Sequence, residues 1–208
     1  MSDCALLIPV KSFQLAKQRL SGYFDSRQRL CLSLALTQRV VLSTKELTTF
    51  VVCDDITVKD WATSLDVAAI TQDHGGLCGQ IFAAIKEVYK MGYKEAIIVH
   101  SDLPKIKDLS GYSRENGIVI IPDRRGFGTN LLKVPTDTLF EFHYGENSLS
   151  CHIKEAMRHK IDYRVFLDPD LAFDIDLPED LSFLGLDEVN KLLLEGKTIA
   201  QDMGILGE

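Results

Sequence analysis

Asp174 and Asp176 lie two apart in the apolar run Leu-Ala-Phe-Asp-Ile-Asp-Leu-Pro-Glu-Asp-Leu, residues 171–181. In an extended segment, side chains i and i+2 share a face, so both carboxylates would aim at one spot. Like charges held together repel unless a cation sits between them. Hard oxygen donors favour a divalent ion, with Mg²⁺ the first candidate. A solvated strand end leading into a helix that starts at Pro178 would read the same way. Asp102, in Ser101-Asp-Leu-Pro104, is a third carboxylate able to complete the site; a turn-forming Asp is its plain alternative.

Other groups point to anions. Lys11, Lys17 and Arg19 cluster directly after the first apolar run and would neutralise phosphates, although a solvated helix start has the same composition. The Gly75-Gly76 turn would offer backbone N–H groups to a base or phosphate at the start of the next helix. It lacks the Walker and dinucleotide fingerprints. The stretch Gly126-Phe-Gly-Thr-Asn130 is a better anion nest, with Thr129 and Asn130 as added donors. Gly145 and Ser148 stand at a helix start, where free N–H groups favour a carboxylate or phosphate; Ser148 also suits plain N-capping. The histidines have no ligand spacing, although His152 lies one helical turn from Ser148. No Ser/His/Asp or Cys/His order stands out. The pattern predicts metal-assisted phosphoryl or nucleotidyl transfer, in which the protein positions and neutralises charge.

The elements that would carry these residues alternate. Strands are predicted at 4–10, 50–53, 67–70, 96–100, 118–121, 163–167 and 171–176. Helices are predicted at 30–42, 58–65, 80–91 and 149–159, with further helical pieces after Pro178. Such alternation implies right-handed crossovers and a mostly parallel sheet covered on both faces. The polar clusters recur at the carboxyl ends of the predicted strands, where open parallel sheets bind ligands.

At 208 residues the chain fits a single domain, residues 1–208, with a substantial core. The net charge of −7 argues against general binding to nucleic acid or anionic membranes. Five scattered cysteines without a C-x-x-C pair read as reduced thiols. No apolar run approaches the roughly 18 residues of a membrane span, so a cytoplasmic protein is expected.

Several short motifs occur together: Ile8-Pro-Val-Lys11 with Ala16-Lys-Gln-Arg-Leu20, Ser101-Asp-Leu-Pro104, and Pro122-Asp-Arg with Gly128-Thr-Asn130. Phe140 with Gly145, Ser148 and His152, and Phe173-Asp-Ile-Asp-Leu-Pro-Glu-Asp-Leu181, complete the set. In this order, from residue 8 to about 184, they resemble the 2-phospho-L-lactate guanylyltransferase family of coenzyme F-420 biosynthesis. The resemblance implies a single-domain, Rossmann-like three-layer sandwich of the nucleotide-diphospho-sugar-transferase type. It implies transfer of GMP from GTP to 2-phospho-L-lactate, phosphoenolpyruvate or 3-phospho-D-glycerate, with release of pyrophosphate. By the same analogy Asp102, Asp174 and Asp176 hold Mg²⁺, and Thr129, Gly145 and Ser148 take the acid's carboxylate. Lys11 and Lys17 hold the triphosphate, with Arg19, Gly75 and Gly76 beside the nucleotide; Lys11, Lys17 and Asp102 form the catalytic set.

The chain departs from similar proteins at Cys78, where they read Asn, and at Leu177, where they read Thr. Arg124-Arg125 recharges the loop before Gly128. Rival expectations are another nucleotidyltransferase of this fold, using CTP or a sugar phosphate, or a non-catalytic nucleotide-binding module. A monomer or homodimer is expected, with a downstream transferase as a potential partner.

Overall fold

The run Cys-Ala-Leu-Leu-Ile-Pro is apolar on both sides, and it becomes the interior strand β1 (Cys4–Pro9). The computed structural model describes residues 2–71 and 75–206. The other strands are β2 (Thr48–Cys53), β3 (Ala68–Thr71), β4 (Glu95–Val99), β5 (Ile118–Pro122), β6 (Thr129–Pro135) and β7 (Tyr163–Val165). The helices are α1 (Ser26–Val41), α2 (Ile56–Ser64), α3 (Gly76–Lys90), α4 (Ser110–Ser113), α5 (Ser148–Arg158), α6 (Pro178–Leu184) and α7 (Leu186–Asp202).

Among the described residues, the sheet has seven strands in the order β3-β2-β1-β4-β6-β5-β7. Strand alternation divides the core into two main layers. Leu6 and Ile8 face Leu34 of α1, Trp61 of α2 and Ala200 of α7. Ala5 and Leu7 face Ile81 and Ala84 of α3 and Ala156 of α5. Helices therefore cover both faces, and the architecture is the predicted three-layer sandwich. Among the described residues, no helix is long and apolar enough to cross a membrane.

Three expectations are corrected. Residues 171–176 form no strand, although their burial alternates: Leu171, Phe173 and Ile175 are buried, and Ala172, Asp174 and Asp176 are half-buried. The pattern of an extended chain survives without a sheet partner. Second, β6 enters the sheet over a segment for which the sequence predicts no strand. It pairs antiparallel with both β4 and β5, and the other pairings are parallel. Its Lys133 is fully buried; Nζ meets Glu95 Oε1 at 2.7 Å and also donates to the Glu115 carbonyl. A buried lysine is tolerated when paired and hydrogen-bonded in this way. Third, Ser148 does not cap α5. Asn147 holds the cap position in a left-handed conformation, φ 62°, and Ser148 is the first helical residue.

Helices α1 and α7 approach so closely that only glycine fits at 196. A Cβ there would stand 1.8 Å from the Cys31 carbonyl oxygen, which is backbone and cannot swing aside. Gly196→Ala is therefore expected to destabilise the fold by roughly 1–3 kcal/mol, the usual cost of overpacking. A lower urea midpoint at unchanged m-value checks this; an unchanged midpoint would show that the helices separate freely.

Candidate active site

Lys17 connects three parts of the chain. It sits in a left-handed conformation, φ 54°, between two 3₁₀ turns that follow β1. Its side chain, only 9% exposed, runs inward. Nζ donates to Asp102 Oδ2 at 2.6 Å and to the Ile175 carbonyl. The Ile175 N–H donates to the Asp102 carbonyl at 3.2 Å. The loop after β1, the end of β4 and the acidic segment thus meet at one point. Burial opposes the charge on Asp102, but Lys17 and then His100 outweigh it and hold the carboxyl below the ordinary range.

Asp174 lies beside this pair. Burial, then the neighbouring Asp102 charge, pushes its carboxyl above the ordinary range. Asn130 Nδ2 reaches Asp174 Oδ1 at 3.4 Å and the Leu171 carbonyl at 3.1 Å. Asp102 Oδ1 is buried with no hydrogen-bond partner among the described residues. An orphaned carboxylate oxygen beside a second, repelled carboxylate is a donor set that a divalent cation would satisfy. Asp176 differs from the sequence expectation, because it is ion-paired with Arg19. Among the described residues, no three acidic, His or Cys side chains form one preformed metal-binding group.

A cavity of about 420 Å³ opens over Lys17, Asp102 and Asp176. Its walls include Lys11, Arg19, Leu77, His100 and Asp176. Lys11 is exposed on this wall, and Arg19 is 68% exposed. Gly75 and Gly76, φ 72° and 65°, begin α3 at its edge. A Cβ at Gly76 would meet open space, so glycine is needed there for conformation and not for room. Residues 72–74 of the glycine-rich turn lie outside the described residues. Gln80, one turn into α3, donates to Asp54 at 2.9 Å beyond β2.

A buried polar cluster joins the start of β6 to the start of α5. Thr129 starts β6, and Ser148 starts α5; both are buried. Their hydroxyls lie 3.3 Å apart. The Ser148 N–H donates to the carbonyl of Gly145, whose φ is 138°. His152, one turn along α5, is fully buried with Nδ1 3.0 Å from Thr129 Oγ1. The Tyr144 ring packs between those of His100 and His152, with centroids at 5.6 and 5.1 Å, and the Tyr144 N–H donates to Cys78 Sγ at 3.3 Å. Tyr144 Oη and His100 Nε2 are also buried without partners among the described residues. With Asp102 Oδ1, they mark a seam between the cavity and the buried hydroxyl pair. Residue spacing had not singled out His100 or Tyr144, because an aromatic contact across the sheet leaves no local signature.

Asp180 latches the acidic segment. It is 1% exposed, and Oδ2 accepts from the N–H groups of Asp176 at 2.9 Å and Leu177 at 2.7 Å. It thereby caps α6, a task that Leu177 has no side-chain acceptor to perform. Arg124 and Arg125 of the loop before β6 donate to the same carboxylate, at 2.6 and 3.1 Å. The two arginines therefore face Asp180 and serve to fix the loop. Burial opposes the Asp180 charge, but the N–H groups of Leu177 and Asp176, then Arg124 and Arg125, hold the carboxyl below the ordinary range.

In fold alone, the molecule is similar to solved nucleotide-diphospho-sugar transferases. A Desulfovibrio desulfuricans G20 crystal structure assigned to that class superposes with a TM-score of 0.76 at 16% identity, covering 98% of this chain and 99% of the other. The chain belongs to the guanylyl transferase CofC-like family, whose model matches residues 4–192. It is 30% identical over 85% of its length to the 2-phospho-L-lactate guanylyltransferase of Methanocaldococcus jannaschii, covering 80% of that protein. It is likewise 30% identical to the phosphoenolpyruvate guanylyltransferase of Rubrobacter xylanophilus, covering 86% of this chain and 91% of that one.

Asp180→Asn leaves two arginines facing a neutral group and is expected to cost about 3 kcal/mol at pH 7. A depressed carboxyl stabilises fully above the unfolded value, near 3.9. That contribution disappears as pH falls through the folded value. The gap between variant and wild type in urea titrations should accordingly shrink in acid below about pH 4. A gap that is constant with pH would refute the latch.

Proposed function

We propose that the protein is a Mg²⁺-dependent guanylyltransferase that joins GMP from GTP to a small phosphorylated carboxylic acid. The acids considered are 2-phospho-L-lactate, phosphoenolpyruvate and 3-phospho-D-glycerate, the chemistry of coenzyme F-420 biosynthesis. Family membership supports the reaction class, and the names of relatives support the two first acids. The observation that carries the reading is the seam of unpartnered buried polar atoms, His100 Nε2, Asp102 Oδ1 and Tyr144 Oη. It lies between a cationic cavity and a pair of buried hydroxyls.

GTP would occupy the cavity lined by Lys11, Leu77 and Arg19, with Lys11 and Arg19 opposite its phosphates. The acid's carboxylate would sit at Thr129, Gly145 and Ser148, which leaves its phosphate at the seam. There a phosphate oxygen attacks the α-phosphorus, the bond to the β-phosphate's bridging oxygen breaks, and pyrophosphate leaves. The attacking oxygen is already anionic, so no protein base is required. Lys17, being buried against Asp102, acts by holding that carboxylate and not as a triphosphate ligand. Asp102 and Asp174 would hold Mg²⁺, with Asp176 available once Arg19 turns to the phosphates. Bound there, the ion would offset the negative charge of the phosphoryl groups.

Five cysteines, all free, suit a reducing compartment, and we assign the protein to the cytoplasm. A transferase that accepts the guanosine-linked product would be the natural partner.

Incubation with GTP, Mg²⁺ and each acid should release pyrophosphate only when the acid is present; no release with any of the three would remove the substrate assignment. In Asp174→Asn, turnover should vanish while the melting temperature stays level or rises. A carboxyl raised by burial and repulsion destabilises the fold wherever it is charged, so neutralising it relieves that cost above its folded value. Marked unfolding with retained specific activity would contradict the assigned role.

A further inference from the structure

His152 has both ring nitrogens engaged. Nε2 faces the backbone N–H of His143 at 3.2 Å. Since that N–H can only donate, Nε2 must be the acceptor and the ring proton must lie on Nδ1. Nδ1 then donates to Thr129 Oγ1, 3.0 Å away. The ring is locked on its other sides by Phe140 and Tyr144, with centroids at 6.0 and 5.1 Å.

The tautomer decides what the hydroxyl pair can offer a ligand. With Nδ1–H donating, Thr129 Oγ1 receives a proton from the ring and keeps its own. The Ser148 hydroxyl donates to Thr129 Oγ1 across their 3.3 Å separation, and the Thr129 O–H is the one left to point at a ligand. In the opposite tautomer Nδ1 would take the Thr129 proton and the Ser148 proton could turn to Thr129, leaving no obligatory outward donor. A neutral ring is needed for this, because Nε2 accepts only when unprotonated. Burial, then the nearby His143 and His100, lowers the ring to about 4, against a smaller opposing effect from Glu155.

We propose that His152 is a positioning residue that fixes the hydroxyl protons of Thr129 and Ser148, making the acid pocket selective for an acceptor-only anion such as a carboxylate. The inference rests on the acid-binding reading above and adds the element that sets the pocket's polarity. It excludes general-base duty for His152, because neither nitrogen is vacant.

The tautomer can be read without any substrate, from two-bond ¹H–¹⁵N spectra of the labelled wild-type protein. A protonated Nδ1 with unprotonated Nε2 at pH 7 is expected; the reverse tautomer would overturn the proposal. Kinetics give the second arm. His152→Phe keeps the ring packing and removes both polar contacts; His152→Asn retains an amide donor toward Thr129. Loss of one outward donor should raise KM for the acid about tenfold in His152→Phe, with KM for GTP within about twofold of wild type. His152→Asn should recover most of this loss, and Thr129→Val should reproduce it. If His152→Phe does not fold, Thr129→Val against Thr129→Ser carries the same comparison. Equal rises in both KM values, or no recovery in His152→Asn, would overturn the proposal. Absence of turnover in the wild type with every acid is a different result: it removes the acid-binding reading, and the tautomer measurement still decides the ring's role.

Discussion

The site depends on one buried ammonium. Lys17 Nζ sits between the Asp102 carboxylate and the Ile175 carbonyl and joins segments 85 and 158 residues apart in the chain. Burying an isolated charge is prohibitive, and burying a paired, hydrogen-bonded one is tolerable. Lys17 therefore fixes Asp102 only while the acidic segment is in place. The same segment has no sheet partner, and its backbone is held instead by Lys17, the Asp102 carbonyl, Asn130 and Asp180. Side chains assemble the active site here more than secondary structure does.

That arrangement explains the division of labour. The end of β4 supplies His100 and Asp102, and the start of β6 supplies Thr129 and Asn130. Because β6 runs antiparallel beside β4, its first residues lie next to the last residues of β4: the His100 N–H donates to the Asn130 carbonyl at 2.9 Å. A parallel strand would have put its amino end at the far edge of the sheet. The reversal places the Thr129–Ser148 hydroxyl pair on the same rim as the cationic cavity, with the Tyr144 ring packed between His100 and His152. The arginine loop is stapled to Asp180, so the loop before β6 and the acidic segment share one anchor.

Much of this was legible in the sequence. The short apolar strands and their polar ends gave the layer order, and the resemblance named the acidic and hydroxyl residues that the structure gathers on one rim. The i, i+2 logic for Asp174 and Asp176 held in burial, and a local rule cannot know that Arg19 pairs with one of the two. β6 was hidden by Lys133, a residue that strand patterns rarely bury; its partners, Glu95 and the Glu115 carbonyl, are distant in sequence. The inward turn of Lys17 was hidden similarly, since composition shows a cation but not which way it points. Leu177, where similar proteins read Thr, has no capping side chain, and the compensation by Asp180 appears only when the fold brings its carboxylate back over two N–H groups.

The central claim is that Asp102 and Asp174, held by Lys17, form the cation site beside the nucleotide's phosphates. Electron paramagnetic resonance of Mn²⁺ titrated into the protein with GTP present addresses it directly. The account predicts a tight Mn²⁺ site in the wild type that is lost in Asp174→Asn, which remains folded, and in Asp102→Asn, whose unpaired Lys17 lowers its stability. Undiminished Mn²⁺ binding in either folded variant would contradict it.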